Sequence, residues 1–574
     1  MRRHLSQMLV AILVLGGIAE ARAEETVTKN KNASRPNVLF FAFDDLRPHI
    51  GAYGESEPIT PYLNALADDG VRFNRAYVAY PLCSPSRATM LTGIRFDNRP
   101  VTGWKPMPHQ EMIRMQTTWP RVLREAGYWT ASRGKVYHGS VPKPDRSAWD
   151  IPGGKTNDWN KAILSAIVDK GGRKDQLEAY LNEGQGSNAL IYVAVDGPDH
   201  LLNDGQVCDD VISYIKEQRD PDKPFAIACG FSRPHMPWVA PKKYFDLYPK
   251  DAGKLAYLPE GAEREVDEEE VTPKNQNDVW NEGVDDDVAQ KLIRGYMACT
   301  TYVDAQMGKV IQALKEEGLY ENTIIVAWGD HGYHLTDHGL WRKNTAYHIS
   351  MRAPLVIKVP GVAGGKIVER VVGNVDIYPT LMELTGVGKP AEVQFHGKSL
   401  VPLLNNPEES WENITYTCAK ARYGLVTDKY RFTVSGNRTS LYDLEKDPHE
   451  WNNLGSHPEY ASLVEQFKAK LAKAVWNETD HTQRSQPIDV LKPSTAKPNK
   501  KKFAQEWDWF GALDANRDGA VTEEEWLKRS QAQSKKKGQV YDEARQRAFF
   551  AKQDLDGNGE ITRKELDAST RKKE

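Results

Sequence analysis

The segment RPNVLFFAFDDL holds an unbroken apolar run, Val38 to Phe43, that stops at two carboxylates, Asp44 and Asp45. A run apolar at every position, rather than at every second one, fits a strand covered on both faces, as in a parallel sheet between helix layers. The next segment, YLNALADDGVRF, spaces its apolar residues as a helix does and closes at Gly70. The order helix, glycine, buried strand returns in TWPRVLREAGYWTASRGKVYHG and in VCDDVISYIKEQRDPDKPFAIACGF. It returns again, far downstream, in QMGKVIQALKEEGLYENTIIVAWGDHG. This alternation predicts an α/β doubly wound domain. In such sheets ligands collect at the carboxyl ends of the strands. Two polar clusters, Asp44–Asp45 and Asp330–His331, fall at such ends.

The texture changes along the chain. Residues 259–290 are polar and acidic, with Glu268–Glu270 and Asp285–Asp287, and read as a solvated excursion. After about residue 385, YGLVTDKYRFTVSGNRTSLYDLEKDPHEWNNL has short β-rich runs between turn signals, which predicts a small antiparallel sheet. LKPSTAKPNKKKF is a Pro/Lys-rich linker. The expected organisation is an α/β domain over 24–385, a smaller subdomain over 386–488, a linker over 489–502 and a separate unit over 503–574.

That last unit carries two related loops, DANRDGAVTEEE and DLDGNGEITRKE. Each has oxygen side chains at positions 1, 3 and 5, Gly at 6 and Glu at 12, the ligand spacing of a calcium-binding EF-hand. The predicted ligands are Asp514, Asn516, Asp518 and Glu525 in the first loop, and Asp554, Asp556, Asn558 and Glu565 in the second. One such loop is weak evidence; two in tandem, flanked by apolar residues at helical spacing, are strong.

The N-terminus adds a compartment. MRRHLSQMLVAILVLGGIAEARA opens on Arg2 and Arg3, continues in an apolar run from Met8 to Ile18, and ends with Ala21 and Ala23 around Arg22. This is the pattern of an export signal over 1–23. A membrane anchor, the alternative, needs roughly 20 apolar residues, and this run is shorter. No other segment is long and apolar enough, so no transmembrane segment is expected. The formal net charge is −3 over 574 residues, which gives no electrostatic reason to expect a nucleic-acid partner. Five cysteines in a chain of this size are not a disulfide framework. Cys229, in PFAIACGF, reads as a buried strand residue. Cys83, in the polar turn PLCSPSRATMLTG, does not.

Asp44, Asp45 and Asp330 offer hard oxygen ligands, suited to Ca²⁺ or Mg²⁺ rather than to zinc. Lys135 and His138 in GKVYH, His235 in SRPHMPW and Lys343 in WRKN add cationic and imidazole groups at predicted strand ends. Together they suit a tetrahedral oxyanion such as sulfate or phosphate. Each has a plain reading by itself: an Asp pair after a strand is often a helix cap, a lysine is usually solvated, and a lone histidine is often structural. Their co-occurrence with Cys83 is what favours a site.

Cys83-Ser84-Pro85-Ser86-Arg87 matches the C-x-P-x-R signature, and ATMLTG extends it. On these residues the chain resembles the type-I sulfatases, and within them the iduronate-2-sulfatase-like group. The resemblance covers residues 35–455. It includes FFAFDDLRPHIGAYG, TPYLNALADDGVRFNRAYV, GKVYH, FSRPHMPWVAPKKYFDLYP, WGDHGYHLTDHGLWRKNT and SLYDLEKDPHEWNNL. It implies an alkaline-phosphatase-like doubly wound sheet with a smaller C-terminal antiparallel sheet, here followed by the α-helical EF-hand unit. It implies that Cys83 is oxidised to formylglycine by a formylglycine-generating enzyme, a partner not readable from composition. It further implies that Asp44, Asp45, Asp330, His331 and residue 83 surround Ca²⁺. Arg87 would hold the formylglycine hydroxyl, Lys135 and Lys343 would balance sulfate charge, His138 would deprotonate the diol and His235 would serve the leaving oxygen. The implied activity is hydrolysis of sulfate esters of a sulfated carbohydrate, 2-O-sulfated iduronate or a related uronic acid, by an exported enzyme. Its place would be periplasmic or extracellular, or lysosomal in a eukaryote. The rivals are another sulfated polysaccharide, a phosphonate or phosphate monoester, and a non-enzyme: an unmatured calcium-dependent binding protein. The sequence sets no oligomeric state.

Overall fold

The computed structural model describes residues 35–95, 112–114, 116–153, 179–181, 190–262, 285–419, 422–477, 520–537 and 542–551, with 554, 558 and 560–562. The export signal, the linker and most of the acidic excursion lie outside these residues. The chain divides into two compact units, Met1–Pro493 and Ser494–Glu574.

The first unit is built on a seven-stranded sheet. Its strands are β1 (Asn37–Asp44), β2 (Val71–Tyr77), β3 (Trp129–Gly134), β6 (Phe225–Pro234), β8 (Thr323–Gly329), β9 (Leu355–Lys358) and β10 (Lys366–Gly373). Their spatial order is β10-β2-β9-β8-β1-β6-β3. A side sheet pairs β4 (Ala179–Leu181), β5 (Ile191–Val195) and β7 (Trp238–Pro241). All pairings in the large sheet are parallel except those of β9, which runs against both β2 and β8.

The unbroken apolar run of β1 has a direct cause. Leu39, Phe41 and Phe43 enter one core, with Tyr296, Met297 and Met307 of the helix Asp286–Glu316; Val38, Phe40 and Ala42 enter a second core, with Trp119, Val122 and Leu381. All eight residues of the strand are buried. Each fully buried Leu or Phe stabilises by about 1.5–3 kcal/mol, so both faces of this strand need apolar cover. The helix Asp286–Glu316 begins inside the stretch expected to be a solvated excursion. Asp285 caps it, its side chain accepting from the backbone N–H of Val288 at 2.8 Å. Asp286 and Asp287 fill its first turn, where negative charge complements the helix dipole.

The smaller antiparallel sheet is present as β11 (Ile414–Ala419), β12 (Arg422–Thr427), β13 (Tyr430–Ser435) and β14 (Arg438–Asp443), in that order. Leu425, Phe432 and Leu441 form a core with Val464, Phe467 and Leu471 of the helix Ala461–Asn477. In the second unit β15 (Ala520–Thr522) pairs antiparallel with β16 (Glu560–Thr562), setting Val521 opposite Ile561. These two join Trp526 and Phe550 in a small core. All five cysteines are buried and none forms a disulfide. Among the described residues no helix is long and apolar enough to cross a membrane.

Candidate active site

Four strands of the large sheet end at one place. β1 delivers Asp44 and Asp45, β8 delivers Asp330 and His331, β3 is followed by Lys135, and β6 is followed by His235. Register makes them neighbours: Phe43 pairs with Gly329 on one side and with Phe231 on the other, while Gly134 pairs with Gly230. The crossing at Gly230 is tight. A Cβ there would sit 2.2 Å from the carbonyl carbon of Lys135, so only glycine lets that backbone pass.

Cys83 opens the helix Cys83–Thr92, after Leu82 as cap. Its Sγ lies 3.3 Å from His331 Nε2. The ligand-bearing atoms of Asp44, Cys83, Asp330 and His331 lie within 4.8 Å of one another, as do those of Asp44, Asp45, Cys83 and His235. Asp44, Asp45, Asp330 and His331 are fully buried. Arg87 is buried too, and its Nε and Nη2 donate to Asp330 (2.9 Å) and Asp44 (3.3 Å). A further Arg87 nitrogen donates to the carbonyl of Lys135. The Lys135 and Lys343 ammonium groups contact Asp44 and Asp45 respectively. Three carboxylates thus face three permanent cations.

The electrostatics follow from burial and from these contacts. Burial works against the charged form of Asp44, but Lys135, His235, Arg87 and Lys343 outweigh it and hold the carboxyl well below its ordinary range. Burial, and then the charge of Asp44, push the Cys83 thiol well above its ordinary value. This cysteine is therefore a poor thiolate despite its place at a helix N-terminus.

The donor set suits a hard divalent cation, on two observations. His331 Nδ1 is 2.9 Å from the carbonyl of Gly332, a contact that turns the ring so that Nε2 faces Asp45 and Asp330 oxygens at 3.4 Å each. Carboxylate oxygens and an imidazole nitrogen converging on one point form a donor set that a positive charge between them would satisfy. The second observation is Asp45 Oδ2, which is buried without a hydrogen-bond partner.

His235 Nε2 is 3.9 Å from Asp45 Oδ2, and its Nδ1 is held by the carbonyl of Met236 at 2.6 Å. His138 is exposed on the turn after β3 and belongs to neither group of potential ligands. Of the second-unit ligands, Glu525, Asp554 and Asn558 are described, and Glu525 Oε2 accepts from the backbone N–H and hydroxyl of Thr522. Asp514, Asn516, Asp518, Asp556 and Glu565 lie outside the described residues.

Supporting residues were not legible in the motifs. Tyr296 OH donates to the carbonyl of Asp45 (2.8 Å) and accepts from Arg47 N–H (3.0 Å). Asn374 Nδ2 donates to the carbonyl and hydroxyl oxygens of Ser86 at 3.1 Å each, its Oδ1 accepts from Ala79 N–H, and the Ser86 hydroxyl in turn donates to the carbonyl of Asp330. Tyr137, beside His138, donates to buried Asp145 at 2.5 Å and accepts from Trp149 at 2.9 Å.

Fold and site together define a hydrolase of the alkaline-phosphatase-like α/β class, with its polar cluster at the carboxyl edge of the sheet. The chain belongs to the sulfatase family, which residues 36–387 match and whose members hydrolyse sulfate esters. Residues 336–477 match the C-terminal region of N-sulphoglucosamine sulphohydrolase, and residues 508–528 and 547–568 match the EF hand. A sulfatase of Formosa agariphila is 30% identical over 506 residues, covering 84% of this chain and 95% of its own. Iduronate 2-sulfatase of Mus musculus is 28% identical over 418 residues, covering 66% of this chain and 73% of its own. The solved phosphonate monoester hydrolase of Agrobacterium radiobacter shares the fold, with a TM-score of 0.61 at 22% identity, over 78% of this chain and 97% of that one.

Proposed function

We propose that the protein is an exported glycan sulfatase that removes sulfate from 2-O-sulfated iduronate or a related uronic acid. The observation that carries this reading is the buried meeting of Cys83 with Asp44, Asp45, Asp330 and His331 under three cations. The resemblance to iduronate 2-sulfatase supports the choice of sugar.

Converted to formylglycine by a generating enzyme and hydrated, residue 83 would supply a geminal diol: one hydroxyl takes the sulfuryl group, and loss of the other's proton expels sulfate and restores the aldehyde. Ca²⁺ held by Asp44, Asp45, Asp330 and His331 would polarise the sulfate oxygens and favour the ionised diol. The remaining work falls to the chain. Arg87, fixed by Asp44 and Asp330, holds the hydroxyl at position 83. Lys135 and Lys343 swing from their carboxylate partners toward the sulfate oxygens and balance their charge. His235, with Nδ1 already bound to the Met236 carbonyl, presents Nε2 to the leaving sugar oxygen; burial lowers its pKa to about 4, and the negative charge of a bound sulfate would favour the imidazolium that donates to that oxygen. His138, at the rim, takes the proton of the second hydroxyl. In the EF-hand unit, Asp514, Asn516, Asp518, Glu525, Asp554, Asp556, Asn558 and Glu565 bind calcium in a structural role.

The test is sulfate release from a disaccharide bearing a non-reducing-end 2-O-sulfated iduronate, using protein whose residue 83 has been shown by mass to be formylglycine. Release that disappears in Cys83→Ala is the expected result. Absence of release, with a nitrophenyl sulfate still hydrolysed, would move the substrate to another sulfated glycan. A matched phosphate monoester turned over faster than either would overturn the sulfatase reading.

A further inference from the structure

A second basic site lies at the far end of the Cys83 helix. That helix, Cys83–Thr92, is ten residues long, about 15 Å at 1.5 Å per residue. Arg95 follows the closing Gly93 and is 6% exposed. One of its terminal nitrogens donates to the carbonyl of Ala474 at 3.3 Å, and its guanidinium lies 4.8 Å over the ring of Tyr416. Beside it opens a cavity of about 380 Å³, within the range of sites that take a small ligand.

The charge in this cavity is one-sided. Lys398, Lys470 and Lys473 line it together with Arg95, and the carboxylates in its wall are those of Glu412 and Asp376. Both carboxylates already have partners. Glu412 pairs with Lys398 at 2.9 Å. The two oxygens of Asp376 accept from the backbone N–H groups of Gly373 and Lys398, at 2.7 and 2.8 Å. Lys470 and Lys473 are three residues apart on one helix face and exposed. Among the described residues neither has a carboxylate within salt-bridge distance. Trp411 and Tyr416 add aromatic surface, with the Lys398 ammonium 6.0 Å over Trp411. Cations converging beside aromatic rings are what a sulfated or carboxylated sugar needs: the cations meet its anionic substituents, and the rings meet its C–H face.

We propose that this cavity is an anchoring site for the anionic polysaccharide chain, separate from the place where the ester is cut. The proposal rests on the glycan reading above. The helix between it and Cys83, about 15 Å long, is a span for a chain rather than for a single sugar. A chain held at both places gains from effective concentration rather than from any new contact at the reacting sulfur. The cavity therefore acts on KM for long substrates and leaves the chemical step alone.

The experiment compares wild type with Lys470→Glu/Lys473→Glu, both matured at residue 83. It measures the affinity of a fluorescent heparin dodecasaccharide and the turnover of 4-nitrophenyl sulfate. The expected result is a loss of roughly tenfold or more in dodecasaccharide affinity, a raised KM for it, and unchanged nitrophenyl sulfate turnover. Equal dodecasaccharide affinity in the two proteins overturns the proposal, as does wild type that hydrolyses nitrophenyl sulfate but does not bind the dodecasaccharide. If wild type binds the dodecasaccharide through these lysines but desulfates no uronic acid, the anchoring site stands and the substrate reading fails.

Discussion

Asp45 sits in the left-handed region, with φ of 63°. An aspartate tolerates this better than most residues, but the conformation persists only where its surroundings enforce it. Here they do: its N–H donates to Asp330 at 3.1 Å, and Tyr296 holds its carbonyl. Asn374 plays a similar part for the Cys83 helix, tying Ser86 to Ala79 and, through Ser86, to Asp330. Asn374→Ala should lower kcat toward nitrophenyl sulfate about 100-fold, the scale of a 1 Å misplacement. It should lower stability by only about 1–3 kcal/mol, for the buried groups left unpaired. Steady-state kinetics beside a denaturant titration checks this; a stability loss with unchanged kcat would make Asn374 merely structural. The residues that meet at the sheet edge were legible because each lies in a short motif with a chemical meaning. Tyr296 and Asn374 were not, because their partners lie 251 and 288 residues away and no local pattern marks them.

At the scale of elements, the strand β1 was legible from its apolar run, but its register was not. A strand covered on both faces would keep apolar side chains inward after a one-residue slip, so its pattern cannot choose among registers. The polar ends choose: Asn37 Oδ1 accepts from Phe225 N–H at 3.0 Å, and Asp44 meets Arg87. The reversed strand β9 is likewise invisible to periodicity, which carries no direction. The helix Pro61–Asp68 shows a cap supplied from elsewhere. Its own cap residue, Thr60, makes no side-chain capping bond, and Asp304 of the helix Asp286–Glu316 accepts from Tyr62 and Leu63 N–H at 3.1 and 2.7 Å. Burial raises the Asp304 carboxyl to about 7. Because the folded value lies above the unfolded one, the stability linked to this group is full at low pH and is lost as pH rises through about 7. Thermal melts of wild type from pH 5.5 to pH 8.5 should therefore fall more steeply than those of Asp304→Asn. That variant should start about 1 kcal/mol lower, since its amide nitrogen cannot accept where one of the two carboxyl oxygens did. Parallel pH profiles would remove Asp304 as the cause.

At the scale of the molecule, the two compact units meet different demands. Among its described residues the second has a core of four, Val521, Trp526, Phe550 and Ile561. A domain that small rarely holds together by burial alone and gains most from a structural metal. Calcium should therefore raise the melting temperature of the unit Ser494–Glu574 in the full chain. Asp514→Ala with Asp554→Ala should abolish that shift while nitrophenyl sulfate turnover persists. A calorimetric transition indifferent to calcium in wild type would deny the loops a structural role. Both units were legible as texture, an alternation of helix and buried strand in one and paired acidic loops in the other. How strands far apart in sequence order themselves into one sheet was not, because that order is set by packing between layers. The burial of Cys83, at 3% exposure, has a consequence in time. Any enzyme that oxidises this thiol must reach it before the sheet closes over it. His331, which helps close it, lies 248 residues further along the chain, and synthesis at roughly 5–20 residues per second takes about 12–50 s to reach it. Unfolded protein should accept the modification and folded Cys83 protein should refuse it. The structure that makes the site work is thus also the deadline by which the site must have been made.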